Sequence, residues 1–256
     1  MSGLKIVLVG GGSTNWTPRV VCNILRNEFL DGSQVVLYDL NPEALELTYA
    51  LALKHRELAG CATTVEQTTD RSAAFDRADA VIVTISTGGL AAMKQDLEVP
   101  EASGIYQTVG DTVGPGGLAR SLRNIPVFLD LARAMESHCP DAWMLNCSNP
   151  LSAITRSVLR ETTIRALGVC HSVGGAARHY AEFLGGKSWA YSNTGIDHCA
   201  WFRALAVDGQ PAEALLAEKG LDDWLSLPAA EAEADPTFGE LFSYRCGFLL
   251  GRQLGM

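Results

Sequence analysis

The sequence predicts a Rossmann-like, doubly wound parallel α/β sheet followed by part of a second, α+β substrate domain. Three observations carry that expectation. Short apolar runs alternate with segments of helical periodicity, the first run ends in a glycine turn, and the rhythm changes after about residue 188.

In chain order, "KIVLVG" (5–10), "VVLYDL" (35–40), "TTVEQT" (63–68), "AVIVTIS" (80–86), "AWMLNC" (142–147) and "RALGVC" (165–170) read as strands. Several are apolar almost throughout, as befits parallel strands covered on both faces. Between them, "PEALELTYALALKHRELAG" and "GLARSLRNIPVFLDLARAMESHC" carry the helical period. Residues 1–188 are expected to form a dinucleotide-binding domain. Beyond them, "WAYSNTGIDHCAWFRALAVDG" alternates like antiparallel strands and an acidic helical stretch follows, so 189–256 reads as the start of a substrate domain. The pattern stops at "GFLLGRQLGM" with no polar taper, which makes the chain look short at that end.

Bulk properties narrow the function. The 256 residues are ample for a core, and 47% hydrophobic with 19% charged residues describes a soluble globular chain. No window reaches the roughly 18 uninterrupted apolar residues of a membrane helix. The N-terminal apolar run is strand-length and flows into its turn, unlike a signal peptide. A net charge of -9 with no basic cluster argues against nucleic acid. Seven scattered cysteines point to reduced thiols and a cytoplasmic location.

"KIVLVGGGSTNWTPRV" places Gly10, Gly11 and Gly12 after the first strand, with a helix starting near Thr17-Pro18. Such a turn lets backbone approach a pyrophosphate, which the helix N-terminus stabilises. Asn15 occupies the third glycine position of G-x-G-x-x-G, so the match is partial. Asp39 ends the second strand, where an acid accepts hydrogen bonds from an adenosine ribose; a solvated strand-end acid is the alternative. Turn and acid together favour a nicotinamide cofactor.

The stretch from Ser86 to Arg120 is rich in glycine and polar residues and reads as a long, ordered ligand loop. Within it Asp111 is either a turn cap or a substrate contact. "NCSNP" (146–150) closes the fifth strand with Asn149 at its carboxyl edge, a pattern similar to lactate and malate dehydrogenases. Those enzymes would show Gly-x-x-Leu-Asp-x-x-Arg after the next strand. Here stand Cys170 and His171, and "GIDHCAWF" follows with His198. A thiolate and an imidazole from separate segments can bind a divalent metal, although buried residues of no such role are the commoner case.

The segments "GGGSTNWTP", "QTVGDTVGPGG", "RNIP", "CPDAWMLNCSNP", "GVCHSV" and "GIDHCAWF" together resemble glycoside hydrolase family 4, the NAD- and manganese-dependent glycosidases. The similarity runs from Lys5 to about Phe248. It implies a reaction unlike two-carboxylate hydrolysis: oxidation at sugar C3 by NAD, metal-assisted deprotonation at C2, elimination of the glycosidic oxygen, addition of water and return of the hydride.

The resemblance assigns roles. Cys170 and His198 hold Mn2+ or another divalent metal. His171 protonates the leaving group or merely orients its neighbour. Asn149 binds sugar hydroxyls, with Asp111 beside it in the catalytic set, and Gly10, Gly12, Ser13, Thr14, Asp39 and Thr87 carry NAD. Asp197 replaces the family's Asn before the metal-binding histidine and is placed with the substrate contacts. The family's general base lies in its C-terminal part, expected beyond residue 256. "CHSV" and "GIYQTVGDTVGPGG" are similar to the α-galactosidase and α-galacturonidase branches, so the expected partner is an unphosphorylated glycoside, with a homo-oligomeric assembly as in relatives. Two rivals stand: a 2-hydroxy acid dehydrogenase, and a short NAD-binding module with little activity.

Overall fold

The apolar runs pair as the sequence predicts. In the computed structural model, which describes residues 3–107 and 110–253, the strands are β1 (Lys5–Val9), β2 (Gln34–Tyr38), β3 (Thr64–Thr68), β4 (Ala80–Val83), β5 (Trp143–Asn146) and β6 (Arg165–Gly168). All neighbours are parallel, in the order β3-β2-β1-β4-β5-β6. The order reverses between β1 and β4, which opens a crevice at their carboxyl ends.

Side-chain alternation divides the sheet into two cores. Val7, Val9, Val36, Tyr38, Val81 and Val83 face one layer, whereas Ile6, Leu8, Val35 and Leu37 face the other. Helices α1 (Thr17–Leu25) and α2 (Pro42–Ala59) cover the second face with Val21, Ile24, Leu25, Leu45 and Ala52. The short α3 (Arg71–Phe75) and the longer α5 (Gly114–His138) and α6 (Leu151–Glu161) cover the first. Local chemistry sets the ends of α2: Asn41 accepts the Glu43 and Ala44 N–H groups, Pro42 opens the first turn, and Gly60 ends it at φ 64°.

The stretch 86–120 differs from the expected loop. It contains α4 (Gly89–Glu101), with a Lys94–Glu98 pair at 3.4 Å, and the first turns of α5 (Gly114–His138). Ala, Met, Lys, Gln, Leu and Glu in the middle of α4 favour helix, while the flanking glycines and Pro100 gave a loop-like composition. Thr108 and Val109 of this stretch lie outside the described residues. Helix α6 (Leu151–Glu161) follows β5.

The chain divides into two compact units between Cys170 and His171, and not at 188/189. Helix α7 (Ser172–Phe183) belongs with the second because Tyr180 and Ala181 are buried in that unit's cores. There β7 (Trp189–Ile196) and β8 (Cys199–Val207) form the expected antiparallel hairpin, with β9 (Gln210–Pro211) beside β8. The helical stretch becomes α8 (Ala212–Glu218), α9 (Leu221–Ser226), α10 (Ala229–Glu233) and α11 (Arg245–Gln253). Trp224 anchors their core: its ring stacks on Phe238 at 5.3 Å and its indole N–H donates to the Ala232 carbonyl at 2.9 Å.

The two faces of α5 yield a stability test. Phe128 is wholly buried between α5 and the sheet, while Leu118 is 62% exposed. Phe128→Ala is expected to cost about 3–5 kcal/mol in urea unfolding, and Leu118→Ala to stay within about 0.5 kcal/mol. Similar losses at both positions would mean that α5 buries a different face.

Candidate functional site

The first unit offers a candidate site at the carboxyl edge of its parallel sheet. After β1 the backbone turns through Gly10, whose φ of 91° favours glycine, and the Gly10 and Gly11 N–H groups both donate to the Tyr38 carbonyl. A Cβ on Gly10 would meet Thr84 Oγ1 at 2.9 Å, and one on Gly12 would meet Asp39 Oδ2 at 2.9 Å. Glycine is therefore required at both positions by the close packing of the turn on the ends of β4 and β2.

Asp39 Oδ2 accepts the Gly12 N–H at 2.8 Å and Oδ1 accepts the Asn41 N–H at 3.0 Å. The acid thus fastens the turn to the end of β2. Ser13 Oγ accepts the Trp16 N–H at 3.2 Å, and Thr14 beside it is exposed. Thr87, after β4, is half-buried, and its carbonyl accepts from Arg123 Nε at 2.8 Å.

Asp111 and Asn149, 38 residues apart, are brought together: Asn149 Nδ2 donates to Asp111 Oδ2 at 2.9 Å. The Thr112 hydroxyl donates to the other carboxylate oxygen at 2.8 Å. Asp111 therefore does not simply cap its own turn; it orients the amide at the end of β5. The Asn149–Pro150 peptide is cis. Behind it, the Asn149 carbonyl accepts from Asn124 Nδ2 at 2.7 Å and from Arg120 Nε at 3.3 Å. Arg120 and Asn124 sit one turn apart on the same face of α5 and were not anticipated from sequence. Two polar residues at i and i+4 on the buried side of an otherwise apolar helix face were the available signal.

Cys170 follows β6 at the same edge and is exposed. Cys147, at the end of β5, lies close enough to feel it: burial pushes the Cys147 thiol up, and the Cys170 sulfur adds to that.

In the second unit, His171 precedes α7 as its capping residue and is exposed. Asp197 and His198 form the two-residue turn of the β7–β8 hairpin. His198 stands in left-handed backbone at φ 56°, with its Nε2 3.7 Å from Asp197 Oδ2. The Asp197 side chain is largely buried and that of His198 partly exposed.

Comparisons with known proteins bear on the family and the fold. The family model described as Family 4 glycosyl hydrolase matches residues 5–185. An alpha-galactosidase of Bacillus subtilis (strain 168) is 37% identical over 208 residues, covering 80% of this chain and 48% of the relative. An alpha-galacturonidase of the same strain is 37% identical over 182 residues, covering 71% of this chain and 40% of the relative. The chain thus spans less than half the length of these two relatives. A crystal structure of a 6-phospho-alpha-glucosidase from gut microorganisms, in complex with NAD and Mn2+, has a TM-score of 0.76 at 24% identity, covering 85% of this chain and 52% of that one. At that identity the likeness bears on the fold. With its family model matched along most of the chain and its glycine turn, Asn149 edge and His198 hairpin built as described, the chain belongs to glycoside hydrolase family 4.

Proposed function

We propose that the chain is an NAD- and divalent-metal-dependent glycosidase acting on an unphosphorylated α-galactoside or α-galacturonide. What supports this reading is the ligand chemistry within each unit: an exposed thiol, Cys170, after β6 at the carboxyl edge of the sheet, and a carboxylate and an imidazole, Asp197 and His198, at the tip of the β7–β8 hairpin, all of types that can hold a metal ion. Asp197 therefore joins the metal ligands, in addition to the substrate contact expected of it. The left-handed backbone of His198 supports the same assignment, because a turn position that favours glycine is held by a ligating side chain.

The glycine turn fits NAD, since it lies between β1 and the start of α1 at the carboxyl edge of a parallel sheet, where a diphosphate meets a helix N-terminus. Gly10, Gly12, Ser13, Thr14, Asp39 and Thr87 would hold it. When bound, NAD supplies a hydride acceptor and donor, and the cation supplies a Lewis acid for sugar oxygens. The remaining work falls to the protein. Asn149, held through both its amide and its carbonyl, presents a donor and an acceptor to sugar hydroxyls. Asp111 fixes that amide and offers a carboxylate at the same edge. His171, exposed and next to Cys170, would carry a proton to the leaving oxygen. A soft thiolate leaves open which cation is taken in the cell.

The relatives named alpha-galactosidase and alpha-galacturonidase support the sugar class. Among the described residues the cysteines form no disulfide, which supports a cytoplasmic location. Among the described residues no helix is long and apolar enough to cross a membrane. A homo-oligomeric assembly completes the reading.

Incubation with p-nitrophenyl α-galactoside or α-galacturonide, NAD, Mn2+ and reductant, followed by omission of each component, is the direct test. Nitrophenol is expected only from the complete mixture. Net NADH from lactate or malate would replace this reading with the dehydrogenase, and NAD binding without turnover would reduce it to a nucleotide module.

Two substitutions separate the halves of the site. Cys170→Ser is expected to abolish metal-dependent turnover and to weaken Mn2+ binding followed by electron paramagnetic resonance, with NAD affinity nearly unchanged. Gly10→Ala is expected to do the reverse, weakening NAD by about tenfold or more in a fluorescence titration, because a left-handed residue with a Cβ is strained by roughly 1–2 kcal/mol. Unaltered Mn2+ binding in Cys170→Ser would remove the thiolate from the metal site.

A further inference from the structure

Helix α5 carries two arginines three residues apart that the fold treats differently. Arg123 is a closed fork: Nη1 and Nη2 donate to the two carboxylate oxygens of buried Asp96 at 3.1 and 2.6 Å, and Nε donates to the Thr87 carbonyl. Arg120 is only 8% exposed, yet among the described residues no carboxylate pairs with it. Asp111, the nearby acid of the site, turns to the Asn149 amide instead.

Arg120 Nε donates to the Asn149 carbonyl at 3.3 Å and Nη2 donates to Ser86 Oγ at 3.1 Å. Two of the guanidinium's five N–H groups are so used. Its Nη1 has no partner among the described residues and is not among the sealed-in buried atoms that lack one. A buried charge without a counter-charge is costly and calls for an anion.

The position says where that anion would come from. Ser86 follows β4 and Asn149 closes β5, so Arg120 serves the β4–β5 side of the crevice. The glycine turn that fits a pyrophosphate lies at the end of β1, against β2. Resting on the glycosidase reading above, we propose that Arg120 is a specificity-determining residue that binds an oxyanion on the sugar, and that this anion is the C6 carboxylate of a galacturonide. Carboxylate and phosphate share the chemistry that a guanidinium recognises. A phosphate, with nearly two charges, would call for a second cation, and the neighbouring Arg123 is committed to Asp96. The planar pair of oxygens of a carboxylate matches the N–H groups left on Arg120.

Isothermal titration calorimetry of the full chain with NAD and Mn2+ present tests this, using D-galacturonate, D-galactose and glucose 6-phosphate as ligands. Galacturonate is expected to bind about tenfold or more tightly than galactose, the effect of one charge-assisted hydrogen bond. Arg120→Gln should bring the two within about twofold, and Arg120→Lys should fall between, with NAD affinity unchanged. Should Arg120→Gln fail to fold, the Arg120 Nε–H resonance of the wild-type chain is the second measurement, shifting with galacturonate and not with galactose. Equal affinity for the two sugars, no binding of either, survival of the preference in Arg120→Gln, or tighter binding of glucose 6-phosphate overturns the proposal. A chain that keeps the Arg120-dependent preference but hydrolyses nothing upholds it and sinks the glycosidase reading alone.

Discussion

The end of β2 holds the ligand edge together. The Tyr38 carbonyl accepts the Gly10 and Gly11 N–H groups at 3.0 and 2.9 Å, and the next residue, Asp39, takes the Gly12 N–H with one carboxylate oxygen. Its other oxygen takes the Asn41 N–H, and Asn41 in turn caps α2. From α2 the Thr48 hydroxyl reaches back to the Gly11 carbonyl at 2.7 Å. Strand end, glycine turn and helix start are thereby fixed as one hydrogen-bonded piece, with successive backbone groups satisfied without side chains in the turn. A wider turn would leave these N–H groups without the partners that β2 provides and would move the crevice opening between β1 and β4. Asp39 is thus an architectural residue whatever else it binds.

Much of this was legible because strand burial on both faces leaves a plain mark. β1, β2 and β4 read as apolar runs, and the doubly wound parallel sheet followed from their alternation with helices. The antiparallel character of β7 and β8 was legible in their alternation, whereas the place of the turn at Asp197 and His198 came from the structure. What sequence could not show was long-range pairing. Asp111 meets Asn149 across 38 residues, and nothing local in "VGDTVG" distinguishes an acid that caps a turn from one that fastens a distant amide. Arg120 and Asn124 were hidden for another reason: arginine and asparagine in a helix ordinarily face water, and only the packing of α5 on the sheet turns them inward. Helix α4 was obscured by the glycines before it and the proline near its end. The division at Cys170 and His171 lay in the burial of Tyr180 and Ala181, which a helical pattern alone does not assign to either side.

The sheet itself does not choose the reaction. A doubly wound sheet with a glycine turn serves oxidoreductases as readily as a hydrolase, and "NCSNP" at the end of β5 is similar to the dehydrogenase pattern. The separation comes after β6. A dehydrogenase of that class would follow this strand with an acid and an arginine; here the chain places Cys170 and His171 and later His198. The distinction between transferring a hydride for net oxidation and using one transiently therefore lies in a handful of side chains outside the nucleotide turn.

His198 shows how such a side chain is kept. At φ 56° it occupies a backbone region that glycine or asparagine enters at less cost, and left-handed geometry costs an ordinary residue roughly 1–2 kcal/mol. A hairpin selected only for stability would place glycine there. Asp197, whose side chain is largely buried, has a carboxylate oxygen 3.7 Å from His198 Nε2 at the same tip. Turn formation alone does not require a histidine at this position, so the backbone cost falls on a side chain whose imidazole is of a type that can bind metals.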